Sequence, residues 1–228
     1  MARLLDWQAR VAKLTPVSGP ASAGSGSNTL ANGSEQTFAG FNSAWVFDMA
    51  FPPSQGQQAR REYGWMIALH NGANAARYQY VDGERMTPVE AGLPASATWD
   101  CTWDCTWETG YETVTLSAAV AKDATQVTLA DELWGHSLNY GDVIGFGTAY
   151  FGAHVVTEVI SAGTYRVWPP IRKALTTSEH RANLEPTLAL RFKPNSVNYG
   201  DFMPAYATGR GGQFIEVFDE YIQTDFVS

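Results

Sequence analysis

The side chains that could carry chemistry are few, and their spacing matches no common catalytic or metal-binding arrangement. The histidines are His70, His136, His154 and His180, and none forms a close pair or a His-Glu-x-x-His sequence. No Gly-x-Ser-x-Gly nucleophile motif occurs either. The sequence therefore predicts no catalytic residue, and we expect that the protein is not an enzyme.

The most unusual segment is residues 98–107, in which Thr-Trp-Asp-Cys is followed by Thr-Trp-Asp-Cys-Thr-Trp. As a β-strand, it places tryptophan and cysteine on one face and aspartate and threonine on the other. Cys101 and Cys105 would then lie about 13 Å apart, which is too far for a disulfide. Asp100 and Asp104 would be equally far apart, beyond the ~5–9.5 Å that separates glycosidase carboxylates. We expect packed thiols, with no disulfide, metal or cofactor.

Trp99, Trp103 and Trp107 support two interpretations of the same segment. Their steps of about 13 Å along a strand suit stacking on alternate rings of a polysaccharide. The favoured interpretation is burial, because burying a large apolar side chain contributes about 1.5–3 kcal/mol or more. A carbohydrate- or receptor-binding β module of a phage tail is therefore the alternative function.

The composition favours a protein that functions through contacts with other subunits. Of the 228 residues, 17% are charged and 13% are aromatic, and the formal net charge is −8. Typical globular domains have roughly 25% charged residues, and interface cores are depleted of most charges and enriched in aromatics. A monomer with a large aromatic core is the other interpretation.

Two classes of partner are not expected. The 15 basic residues are scattered, whereas a surface that follows nucleic-acid phosphates needs clustered lysine and arginine. No segment approaches the ~20 apolar residues of a membrane-spanning helix, and the N-terminus lacks the apolar run of a signal peptide. We therefore expect no stable nucleic-acid binding, no membrane insertion, and synthesis in the cytoplasm.

For the first third of the chain, the sequence predicts a segment rich in small polar residues, then a strand and a helix. Residues 1–14 have roughly helical apolar spacing, and residues 18–34 are rich in Gly, Ser, Ala and Asn, which predicts a flexible spacer or an arm that becomes ordered against a neighbouring subunit. A strand over 44–51 follows, with alternate bulky apolar residues on one face. Ser54 is expected to cap a helix over 55–70.

The rest of the sequence is predicted to form mainly strands. Asn71-Gly72 is expected to end the helix, and a strand is expected over 76–81. Five short strands separated by glycine turns within 112–171 predict a small barrel or sandwich. Strands at 187–192 and 213–221 are expected to pair as a hairpin across the Gly- and Tyr-rich loop 195–212.

This order of elements resembles the distal tail proteins of long-tailed bacteriophages, the ring proteins at the tail tip that are related to tail-tube subunits. The resemblance depends on several local patterns: Ser-Glu-Gln-Thr-Phe-Ala-Gly at 34–40, Phe-Pro-Pro at 51–53, Gly-Asp-Val-Ile-Gly-Phe at 141–146, Tyr-Arg-Val-Trp-Pro-Pro-Ile-Arg at 165–172 and Phe-Ile-Glu-Val-Phe at 214–218. The Gly/Ser tract and the Trp-Asp-Cys repeat depart from the expected family pattern.

The resemblance implies a mainly β protein. Residues 36–110 and 185–228 would form a split tail-tube-like β-sandwich with one flanking helix. Residues 112–182 would form an inserted small β-barrel-like module, preceded by an N-terminal arm at 1–35. The subunit would form a ring, typically sixfold, and would contact the tail-tube protein and the tail-tip or baseplate hub proteins in the virion.

Ring formation places function in interfaces. We expect these at the tryptophan strand, the 195–212 loop and the N-terminal arm, and the candidate interface residues are Trp99, Trp103, Trp107, Tyr199, Phe202, Tyr206 and Arg210. The net charge of −8 has two possible roles: an acidic lumen that repels passing DNA, or solubility.

Overall fold

The protein is mainly β, as the sequence predicts. The structure is a computed structural model that describes residues 2–18, 22–23, 26–29, 35–38, 42–80, 113–131, 137–147, 150–202, 206–218 and 222–223. The chain forms two compact units, and each is described by itself. Unit 1 comprises Met1–Tyr78 and Leu188–Ser228, and unit 2 comprises Gln79–Thr187.

The helical elements are α1, Gly56–Ala68, and a short 3-10 helix, His70–Gly72. The strands in chain order are β1 Ala2–Asp6, β2 Lys13–Ser18, β3 Ser22–Ala23, β4 Gly26–Thr29, β5 Glu35–Phe38, β6 Asn42–Ser43, β7 Val46–Ala50, β8 Ala75–Gln79, β9 Thr113–Thr115, β10 Gln126–Thr128, β11 Val143–Ile144, β12 His154–Ser161, β13 Thr164–Trp168, β14 Arg181–Asn183, β15 Thr187–Phe192, β16 Asp201–Phe202, β17 Ala207–Thr208, β18 Gly211–Glu216 and β19 Ile222–Gln223.

Unit 1 is built on a seven-stranded sheet with the order β19-β1-β8-β15-β18-β7-β2. β1 pairs in parallel with both β8 and β19, whereas the β15, β18, β7 and β2 side is antiparallel. The antiparallel β15–β18 pair, with Leu190 opposite Glu216, confirms the predicted hairpin. A sandwich of two sheets stays a prediction.

The N-terminal segment corrects the sequence prediction. Residues 1–14 do not form a helix, because β1 and β2 are strands of the sheet. The N-terminal arm or flexible segment over 1–35 stays a prediction. Leu4 is 5% exposed and pairs with Ala75 of β8. A strand lets this leucine reach the core while its neighbours remain outside, and this gain outweighs the weak helical spacing.

The core of unit 1 is an aromatic cluster on one face of the sheet. The ring of Trp7 lies 4.8 Å from that of Trp65, 4.7 Å from Tyr78 and 5.2 Å from Phe214, measured between centroids. Alternate residues of the strand predicted at 44–51 also point into this core, with all four side chains 5% exposed or less, which confirms the predicted face: Trp45, Phe47, Met49 and Phe51.

The two ends of α1 differ in how well the sequence predicts them. Gln55 is the N-cap residue and makes no side-chain cap, so the prediction that Ser54 caps the helix is wrong. The helix does end before Asn71-Gly72 as predicted, with positive φ values of 53° and 94°. A Cβ at Gly72 would collide with the carbonyl oxygen of Phe192, so only glycine fits there.

Unit 2 contains a four-stranded antiparallel sheet, β10-β13-β12-β11, and a two-stranded sheet, β14-β9. The five strands expected within 112–171 are all present. β14 lies beyond that range and pairs with β9. Apolar residues of these strands and of the segments between them form one buried cluster: Val114, Leu116, Val120, Val127, Leu129, Leu138, Ile144, Phe146, Tyr150, Val156, Tyr165, Val167, Ile171, Leu175 and Ala182.

Candidate functional site

A distinctive feature of unit 1 is a two-stranded ribbon that continues the β2–β7 hairpin. The register is nearly constant along it, with Lys13 opposite Ala50, Ser22 opposite Ser43 and Thr29 opposite Glu35. β18 pairs with β7 only from Ala50 to Val46. We call the part beyond the sheet, formed by the β3–β6 and β4–β5 pairs, the arm.

Within the described residues, no third strand pairs with the arm. Both edges of such a ribbon carry backbone N–H and C=O groups that a neighbouring strand could satisfy. A two-stranded hairpin is marginally stable by itself in water. The arm is therefore a feature that contact with a partner would stabilise, and it falls in the segment where the sequence predicts one.

A buried charged network fixes α1 against the 195–212 loop. Arg210 and Glu62 are 2% and 0% exposed, and Arg210 Nη1 lies 3.4 Å from Glu62 Oε2. Nη1 also donates to the carbonyl oxygen of Ala59 at 2.8 Å, and Ser54 Oγ donates to Glu62 Oε2 at 2.6 Å. Because removing one partner from a buried pair leaves an uncompensated charge, the network holds the loop firmly on the helix.

The backbone strengthens the same junction. Ser54 and Ala207 exchange backbone hydrogen bonds of 3.0 and 2.9 Å, and the amide of Phe51 donates to the carbonyl oxygen of Arg210 at 2.9 Å. Thus Ser54 acts here through both its backbone and its hydroxyl group. This explains why it does not cap α1.

The structure separates the predicted interface residues into three groups. Tyr199 and Tyr206 are 38% and 40% exposed, as an interface requires. Phe202 lies in β16, which pairs with β17. Arg210 is a correction, because its side chain is buried inside unit 1 and not on the surface.

Two of these residues meet at one aromatic ring. Tyr199 contacts Tyr63 of α1 edge-on, with 5.9 Å between ring centroids, and the Arg210 guanidinium lies 5.9 Å from the Tyr63 centroid. Arg210 therefore supports the surface on which Tyr199 is displayed. The predicted residues Trp99, Trp103 and Trp107 lie outside the described residues.

The exposed face of the sheet is not acidic on its described central strands. Residues directly paired in an antiparallel ladder share a face, which aligns Gln213 with Asp48. Lys193 belongs to the same row and donates to the Gln213 side chain at 3.2 Å. With Arg191 and Lys13 also on this face, basic residues outnumber Asp48. An acidic surface of the kind that a DNA-repelling lumen requires is therefore not formed by these strands alone, and the role of the net charge stays open.

Unit 2 contains a buried histidine network. Tyr150 Oη donates to His154 Nε2 at 2.8 Å, and His154 Nδ1 lies 2.7 Å from the carbonyl oxygen of Pro169. Because a carbonyl only accepts, Nδ1 carries the proton and Nε2 is the acceptor. Burial lowers the pKa of His154 to about 4; the bond to Pro169 raises it, and Arg172 lowers it further.

This network resembles a catalytic dyad in its residue types but not in its access to substrate. His154 and Tyr150 are 0% and 1% exposed. The Tyr150 hydroxyl also accepts a hydrogen bond from the backbone amide of Arg172 at 3.3 Å. The arrangement therefore stabilises unit 2. Among the described residues, no group of three or more His, Cys, Asp or Glu side chains could hold a metal ion.

Sequence reasoning missed the pairing of Arg210 with Glu62 and the role of His154. The pair is separated by 148 residues, so no local spacing indicates it. His154 begins an alternating apolar strand, which was the available signal that its ring faces a core.

No protein-family model matches this chain, and no curated protein matches its sequence. In the part of the chain that the structure describes, no helix has the length and apolar character needed to span a membrane.

Proposed function

We propose that this chain is a structural subunit of a bacteriophage tail, which assembles with copies of itself into a ring, typically sixfold, at the distal end of the tail tube. The ring would join the tube protein to the tail-tip or baseplate proteins. Unit 1 would correspond to the split tail-tube-like sandwich with its flanking helix. Unit 2 would correspond to the inserted small β-barrel-like module.

The observation that carries this proposal is the arm. A ribbon that leaves its own sheet without a third strand in the described chain is costly for a monomer and useful for a subunit that must reach a neighbour. The arm also coincides with the Gly/Ser-rich segment. Small side chains there allow another backbone to approach closely.

The free edge of the sheet gives a second line of support. β2 is the last strand in the sheet order, so within the described residues no further strand pairs with its outer side. Val17 on this strand is 52% exposed. Closed rings of identical subunits remove such edges by continuing the sheet from one copy to the next.

The experiment that tests the proposal measures the mass of the purified protein by light scattering, together with negative-stain images. We expect ring-sized particles with a central hole. In a second variant, residues 19–44 are replaced by a short turn containing Asn-Gly, which joins β2 to β7 directly. This variant should remain folded by circular dichroism but fail to form rings.

A matched control changes an exposed residue outside the arm. Tyr140 is 78% exposed and lies in unit 2, so Tyr140→Ser should leave assembly unchanged. A wild-type protein that stays monomeric at every concentration, or an arm-deleted protein that still forms rings, would contradict the proposal.

Exposed tyrosines keep a carbohydrate-binding function as the alternative, because aromatic rings at a surface can stack on sugars. Tyr199 and Tyr206 are 38% and 40% exposed. Iodide quenching of tryptophan fluorescence separates the two functions. Blue-shifted emission that iodide does not quench favours burial of the tryptophan row, whereas quenched emission that responds to added polysaccharide favours the binding module.

A further inference from the structure

The outward side of α1 is exposed and has the chemical character of an interface. Its inner side is buried through Glu62, Trp65 and Met66. On the opposite side, Arg60 and Arg61 are exposed, and Ile67 is 45% exposed one to two turns further along. A single exposed isoleucine is common on a protein surface, so its significance here lies in its position on the same side of the helix as the arginine pair.

Gly64 lies between the arginines and Ile67, and no described residue of unit 1 accounts for a glycine there. It is exposed within the helix, and a Cβ placed on it would meet no atom within 4 Å. Its backbone does not adopt the positive-φ conformation that favours glycine either. Glycine is one of the poorest residues for a helix interior. A second backbone packed closely on the helix would explain it.

Within the described part of the chain, no acidic side chain forms an ion pair with either arginine. The protein as a whole has a net charge of −8. The basic pair is therefore opposite in sign to the net charge of a second copy.

The charge and the small side chains of the arm complement the outer side of α1. Glu35 is the only charged residue between Lys13 and Asp48 in the sequence. Most residues of the arm segment are Gly, Ser, Ala, Asn or Thr, which allow close backbone approach.

The lengths of the two surfaces also agree. From Arg60 to Ile67, seven helix steps of about 1.5 Å span about 10 Å. From Glu35 to Phe38, the three steps of β5 at about 3.4 Å span about the same length. One strand of the arm could therefore extend along the helix from the arginine pair to Ile67.

We propose that the arm of one copy docks on the outer side of α1 of a second copy, with Glu35 beside Arg60 and Arg61 and the arm backbone over Gly64. This inference rests on the proposed self-assembly and identifies the surface that receives the arm. The contact is heterologous, since it joins two different surfaces of the same chain. Repetition of such a contact closes a ring when the rotation between copies allows it.

The test exchanges the charges across the proposed contact, with assembly followed by sedimentation velocity. The double variant Arg60→Glu/Arg61→Glu and the single variant Glu35→Lys should each weaken association by about tenfold or more, because like charges would then face each other. The protein that carries all three changes should recover most of the wild-type association. Added salt should weaken the wild-type contact.

The matched control reverses two exposed basic residues in unit 2, Lys173→Glu/Arg181→Glu, which changes the net charge equally. It should associate like the wild type. Gly64→Gln provides an independent test that does not involve charge. It should abolish assembly without lowering the midpoint of thermal unfolding, since glutamine favours helix and the site is open in the protomer.

The outcomes distinguish this inference from the proposed function. If arm deletion abolishes the rings while the charge exchanges and Gly64→Gln leave them intact, the arm docks elsewhere and the docking proposal is overturned, although self-assembly stands. If the wild-type protein forms no assembly at any concentration, both proposals fail.

Discussion

His154 offers a quantitative test of the buried network in unit 2. Burial lowers its pKa from the usual 6.5 to about 4. Between these values the unfolded chain binds a proton that the folded unit does not. The stability contribution is therefore fully present above pH 6.5 and is lost as the pH falls towards 4. From pH 7.5 to 5.0 the free energy of unfolding should fall by about 2 kcal/mol through this residue alone, because one pKa unit corresponds to about 1.36 kcal/mol.

The assay is amide hydrogen exchange of peptides from β12 and β13, corrected for the intrinsic pH dependence of exchange. The variant His154→Gln removes the titrating ring. We expect it to lower stability at pH 7.5 by about 1–3 kcal/mol, because partners of the ring lose hydrogen bonds. Its stability should nevertheless vary less between pH 7.5 and 5.0 than that of the wild type, by about 2 kcal/mol.

An exposed histidine supplies the control. His70 lies in unit 1 at a positive φ of 46°, a conformation that asparagine tolerates, so His70→Asn should leave the exchange of the β12 and β13 peptides unchanged. If the wild type and His154→Gln lose stability equally between pH 7.5 and 5.0, the ring does not remain neutral in the folded unit, and the assigned hydrogen-bond pattern is wrong.

Two further predictions concern unit 1 and are measured by urea unfolding of the arm-deleted protein. Arg210→Met should lower the free energy of unfolding by about 3–5 kcal/mol, because it leaves the Glu62 carboxylate buried without its partner. The double variant Arg210→Met/Glu62→Leu should lose less stability, because no charge is then left buried. A double variant that loses as much stability as Arg210→Met alone, or more, would contradict this reasoning. Gly64→Ala should raise stability by about 0.8–1 kcal/mol, whereas Gly72→Ala should lower it, because the new Cβ would collide with backbone and the φ of 94° is unfavourable for alanine. Equal effects at the two glycines would show that their environments are not as different as described.

The sequence predicts the elements whose signal is local. Alternation over 44–51 identifies the buried row that includes Phe47 and Met49, and Asn71-Gly72 identifies the end of α1, because each depends on neighbouring residues. The N-terminal strand was missed for the opposite reason. Its conformation is decided by pairing with β8, about 70 residues away in the chain.

The residues of the candidate site also divide into those that local sequence predicts and those that depend on distant parts of the chain. Exposure of Tyr199 and Tyr206 follows from a polar, glycine-rich loop. The burial of Arg210 does not, because the carboxylate that compensates its charge comes from a helix 148 residues earlier. Spacing rules describe one element at a time and cannot pair two residues that only the tertiary fold brings together.

The strand order of unit 1 has a consequence for synthesis on the ribosome. β1 and β8 lie on one side of the sheet and β7 and β2 on the other, and the two strands between them, β15 and β18, come from residues 187–216. Unit 2 is complete before either central strand has emerged. The first 80 residues must therefore wait with two unjoined strand pairs and exposed aromatic side chains. During that interval the nascent chain is most exposed to aggregation, so its yield should depend on chaperones and on the speed of translation.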